Sequence, residues 1–147
     1  MSAFTRSIQL GAGAAMIVAA TLSAGPGSAS PSAVHLVTGA GTYGLAPAAF
    51  SVNAVSGAGG LVTFQGALFV IQVVVECSIV VSDPFPLIHR YYGSGPSSLG
   101  GTLYFTFQDT GTGGLDRVSM ATTPLAGPCG APPNATETVY GQILIAP

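Results

Sequence analysis

Phe50, Val52 and Ala54 alternate with Ser51 and Asn53, the two-residue period of a strand with one face buried. The same period returns near the end, where Val139, Gly141, Ile143 and Ile145 share one face of a strand over 138–145. Between these, apolar runs rich in Val, Ile and aromatics are punctuated by Gly and Pro roughly every 8–12 residues, and nothing reads as a helix. A first strand falls over 34–43, interrupted at Gly39 and Gly41. Residues 56–60 form a glycine turn, 61–65 the return strand, and Gly66 a bulge or bend. The segment 67–81 is the most apolar, and its Val-Val-Val-Glu-Cys-Ser-Ile-Val-Val run favours strand over a buried helix. Its length predicts a bent strand, or two strands meeting near Gln72, central in a sheet and covered on both faces. Asp83-Pro84-Phe85-Pro86 ends that run.

Residues 87–92 read as a short strand carrying His89 and Arg90, followed by a flexible loop over 93–101. Next comes a hairpin, Gly101 to Met120, with a glycine-rich turn between Asp109 and Asp116. A Pro- and Gly-rich loop over 123–134 holds Cys129. The pattern predicts an all-β domain of about eight strands, an antiparallel sandwich or partly closed barrel.

Composition sharpens this. Charged residues are 5% of the chain against 48% hydrophobic, with 21 Gly, 11 Pro and no lysine. Solvated disorder needs the opposite balance, so a folded β-protein surfaced by Ser, Thr, Gly and Ala is expected. The net charge of −2 and three arginines exclude nucleic acid as a partner, which needs clustered cations against its phosphates.

The first 29 residues have the form of a secretory signal peptide. Arg6 supplies the positive start, 8–22 an apolar stretch that forms the signal helix, and Gly27-Ser28-Ala29 the small residues before cleavage. The expected domains are therefore 1–29, signal peptide, and 30–147, an exported all-β domain without membrane insertion after cleavage. Cys77 and Cys129 are the only cysteines, and export predicts that they form a disulfide.

Three patterns invite chemistry. Asp109-Thr110-Gly111-Thr112 spells an aspartic-protease motif, but that reaction needs two aspartates sharing a proton, and the motif occurs once and late. Asp109 and Asp116, with turn carbonyls, form a candidate weak Ca²⁺ site, short of the six to eight oxygens the ion takes. His89 beside Asp83 and a serine can be drawn as a triad, yet no nucleophile elbow exists. His35 and His89 lack metal-ligand spacing, so no other cofactor is implied.

The chain resembles a set of small secreted actinobacterial β-domains of unassigned function. The resemblance rests on Gly39-x-Gly41, Phe50-x-x-Asn53-Ala54, Val75-x-Cys77-x-x-Val80, Phe105-x-Phe107-x-Asp109-x-Gly111-x-Gly113 continuing to Asp116-Arg117-Val118, and Gly141-x-Ile143-x-Ile145. It departs at Asp83-Pro84-Phe85-Pro86, where such domains have a simple Gly turn. The resemblance implies an exported, disulfide-bearing domain and no enzyme. These features lead to a non-catalytic structural or binding module of the cell envelope or medium, with a cell-wall component or a second copy as partner. The alternative is a small-ligand- or Ca²⁺-binding barrel, or a hydrolase using the Asp109/Asp116 hairpin with His89 or Glu137.

Overall fold

The computed structural model describes residues 34–44, 48–84, 87–112 and 114–147, and the expected signal peptide lies outside them. Nine strands run in chain order: β1 (Leu36–Tyr43), β2 (Ala48–Val55), β3 (Gly59–Gln65), β4 (Val70–Val75), β5 (Cys77–Pro84), β6 (Leu87–Pro96), β7 (Thr102–Asp109), β8 (Arg117–Ala121) and β9 (Glu137–Ala146). They form one antiparallel sheet in the order β4-β3-β2-β1-β9-β8-β7-β6-β5. The sheet curls into a nearly closed barrel.

Closure follows from the apolar run. A single residue, Glu76, separates β4 from β5, so the chain steps from one end of the sheet order to the other. Across that seam Val73 bridges Ser97, the Ser98 N–H donates to the Gln72 carbonyl (2.8 Å), and the Glu76 N–H donates to the Ser94 carbonyl (3.0 Å). Both sheet edges are thereby partly covered. The break falls at Glu76 rather than Gln72, and the run is marginal rather than central. Val73 and Val75 point into the core, whereas Val74, Ile79 and Val81 face outward. A β-branched run signals a strand, but not how many of its faces are covered.

Two glycine expectations are corrected as well. Gly39 and Gly41 do not interrupt β1; Gly41 lies opposite Gly141 of β9, and a Cβ on Gly41 would stand 2.9 Å from the Gly141 Cα. The pair lets the two strands approach where the sheet bends. Residues 93–96 are not loop but the end of β6, because Gly95 leaves room for the Val74 carbonyl of β4 to pack against it. The turn shrinks to the residues between Pro96 and Thr102.

The interior is aromatic. Phe64 stacks on Phe107 (centroids 6.0 Å, planes 3° apart), Phe50 lies 5.3 Å from Phe107, and Phe105 lies 5.6 Å from Phe107 and 6.0 Å from Tyr91. Val37, Val62, Val73, Val118, Ile143 and Ile145 are among the aliphatic side chains packed around these rings. Each buried aliphatic side chain contributes about 2 kcal/mol of transfer free energy, so the core is the dominant stabilising term.

The 123–134 loop wraps the outside of β6–β8. There Tyr92, Thr106 and Ser119 form a row in register across three strands. The Tyr92 hydroxyl donates to the Pro133 carbonyl (3.1 Å), the Thr106 hydroxyl to the Pro132 carbonyl, and Ser119 Oγ accepts the Thr136 N–H (2.8 Å). Cys129, in the 3-10 turn Pro128–Gly130, is joined by a disulfide to Cys77 at the start of β5, as the sequence predicts. Their Cα atoms are 5.7 Å apart. The bond ties the wrap to the closing seam.

Candidate functional site

The aspartate hairpin is built around a gap in the sheet. β8 is short and pairs with β9 only at Arg117↔Thr138 and Val118↔Glu137, while β9 runs on to Ala146. The remaining β9 N–H groups on that side need other acceptors. The Asp116 carbonyl takes the Val139 N–H (2.9 Å), Asp116 Oδ2 takes the Ile143 N–H (2.8 Å), and Asp109 Oδ2 takes the Ile145 N–H (3.0 Å). The other oxygens hold the turn: Asp109 Oδ1 accepts the Gly111 N–H (2.8 Å), and Asp116 Oδ1 accepts the Thr110 N–H (3.1 Å). Each of the four carboxylate oxygens thus accepts a backbone N–H. Asp109 is only 7% exposed. The two side chains replace the rungs that a longer β8 would have supplied.

Asp109 and Asp116 also line a hollow of about 450 Å³ with Gly111, Leu115 and Gln142, but neither His89 nor Glu137 lines it. Among the described residues no three His, Cys, Asp or Glu side chains gather as metal ligands. The four carboxylate oxygens are directed at the N–H groups of β9 and of the hairpin's own turn.

The drawn triad separates in space. His89 Nδ1 lies 2.6 Å from Ser82 Oγ on the exposed face, whereas Asp83 pairs with Arg90, whose Nε donates to Gln108 Oε1 (3.2 Å). Asp109 stands opposite His89 in register, yet both its oxygens are committed elsewhere. A serine–histidine contact without an orienting carboxylate lacks the arrangement that activates a nucleophile.

A different site emerges where β1 ends, β2 begins and β9 starts. A cleft of about 470 Å³ is lined by Tyr43, Ala48, Gly66, Ala67, Phe69, Val118 and Met120, with Ser119, Thr136 and Glu137 among them as polar groups. It lies within the range of small-molecule sites, which are mostly apolar with a few placed polar groups. Burial, reinforced by the nearby Glu137 carboxylate, pushes the Tyr43 hydroxyl pKa above its ordinary 10.0. Tyr43 thus stays a neutral donor across the physiological range. Of these residues only Glu137 carried any weight in the sequence. The others come from five separate segments, and no local pattern links them.

Comparison with protein-family models, with curated proteins and with solved structures finds no match to this chain.

Proposed function

We propose that the chain is a non-catalytic, exported binding module that takes a small apolar molecule, or the apolar end of a larger one, into the Tyr43–Phe69–Met120 cleft. The observation that carries this reading is the cleft itself, mostly apolar along its walls and furnished with the hydroxyls of Tyr43, Ser119 and Thr136 and the Glu137 carboxylate. The part that Asp109 and Asp116 play as acceptors for β9 supports it, because it gives both aspartates a structural role that needs neither a cation nor a substrate. The signal-peptide pattern over 1–29 and the disulfide fit an extracellular or cell-wall setting. The resemblance to secreted actinobacterial β-domains fits the same picture.

A neutral fluorescent probe, N-phenyl-1-naphthylamine, tests the proposal. The expected result is saturable one-to-one binding with a Kd of roughly 10 μM. Ala67 is exposed at the cleft, so Ala67→Trp fills it without disturbing the core and weakens binding by about tenfold or more. Absence of saturable binding, or equal binding by Ala67→Trp, rejects the cleft as the site.

A further inference from the structure

Building on the reading of the Tyr43–Phe69–Met120 cleft as a binding site, we infer that its ligand is a small single-chain amphiphile with a cationic head, an alkyl amine or quaternary ammonium. The face on which Glu137 stands points to that class. Where β8 pairs with β9, Val118 lies opposite Glu137 and Arg117 lies opposite Thr138. Opposed residues of an antiparallel pair share a face, and successive residues alternate. Val118 is wholly buried, so Glu137 begins the inward row of β9 that continues through Val139, Gly141, Ile143 and Ile145. Arg117 is turned to the other face. A carboxylate thus stands at the end of an apolar row, and the cation of the neighbouring strand lies on the opposite side of the sheet.

Nothing in the cleft answers that charge. No Lys, Arg or His lines it. Among the described residues the one ion pair joins Arg90 to Asp83 and leaves Glu137 outside it. Ser119 and Thr136 satisfy each other, their hydroxyls 3.0 Å apart and Ser119 Oγ accepting the Thr136 N–H (2.8 Å). Burial, and after it the Glu137 carboxylate, raises the Tyr43 hydroxyl pKa above 10.0, so the field of that carboxylate is felt within the cleft. Facing it is an apolar wall. The Gly66 N–H donates to the Phe69 carbonyl (2.9 Å), which closes a turn that lays the Phe69 ring over Gly66, where a Cβ would collide with it. Phe69 remains 45% exposed. An anionic head would meet a like charge, and a neutral one would leave Glu137 unanswered. An amine places its chain against Phe69, Val118 and Met120 and its charge against Glu137.

The test is calorimetric titration of the purified protein, at neutral pH and low salt, with three probes of one chain length: octylamine, 1-octanol and octanoate. Octylamine should bind about fivefold more tightly than 1-octanol, the effect of one partly exposed charge pair, and octanoate more weakly than either. The advantage of the amine should shrink in about 0.5 M NaCl and vanish in Glu137→Gln. Ala67→Trp should weaken octylamine and 1-octanol alike and keep their ratio. Binding of 1-octanol with no gain for octylamine overturns the amine assignment and leaves the cleft standing. No binding by any of the three overturns the cleft reading and the amine assignment together. An amine advantage that survives Glu137→Gln, or binding that ignores Ala67→Trp, places the ligand elsewhere and also overturns it.

Discussion

Asp109 and Asp116 sit where β9 has lost its neighbour, and their carboxylates supply the acceptors that a strand would have supplied. Removing either leaves a buried β9 N–H without a partner. Asp109→Ala and Asp116→Ala should each lower stability by about 2 kcal/mol, seen as a fall of several degrees in Tm. Because both serve one seam, the double variant should lose less than the sum of the two. Tyr91 behaves oppositely. Its buried hydroxyl makes no hydrogen bond of normal geometry; burial raises its pKa above the ordinary 10.0, and the nearby Ser78 hydroxyl only tempers the rise. The folded state therefore holds a proton that the unfolded chain releases. That contribution is complete below pH 10.0 and is lost as pH climbs through the higher folded value. Chemical denaturation from pH 8 to 11 should show stability falling above about pH 10, less steeply in Tyr91→Phe. At neutral pH the same variant should be as stable as the parent, or more stable by about 1 kcal/mol.

Among the elements, how much the sequence discloses depends on the range of the interaction. Alternation in Phe50–Ala54 and Val139–Ile145 marked β2 and β9 correctly, because a half-covered strand imprints its period on its own residues. The 101–120 hairpin was legible from its glycine-rich turn between two strand-like runs. Glycine misled wherever its partner was distant. Gly39, Gly41, Gly93 and Gly95 read as breaks, yet they are strand residues whose missing side chains admit β9, the Phe105 ring or the Val74 carbonyl. Gly95→Ala forces a methyl group into that carbonyl and should cost about 2 kcal/mol in equilibrium unfolding. The apolar run of β4 and β5 misled because, in so uncharged a chain, outward positions such as Val74 and Val81 are apolar as well. The candidate site divides in the same way: the aspartates stood out as rare charges, but their acceptor roles depend on β9, 27 and 36 positions away. The cleft, gathered from five segments, left no local trace at all.

For the molecule as a whole, a barrel with one lost rung and one covalent tie divides its stability among the aromatic core, the aspartate seam and the disulfide. The disulfide closes a separation of 52 residues, and a loop of that size contributes about 4 kcal/mol in the chain-entropy model. Reduction, or Cys77→Ser with Cys129→Ser, should lower stability by an amount of that order in urea unfolding, while the far-UV signature of the sheet remains at low denaturant. The division of labour also separates stability from binding, since neither Asp109 nor Asp116 lines the apolar cleft.

Thermal unfolding of Asp116→Asn with and without N-phenyl-1-naphthylamine tests that separation most directly. A ligand that binds only the folded state raises Tm by an increment set by its affinity. The account predicts a Tm below that of the parent in the absence of probe and an undiminished increment in its presence. A variant with the parent's Tm but no increment would contradict it, making the aspartate hairpin part of the binding site rather than a support for β9.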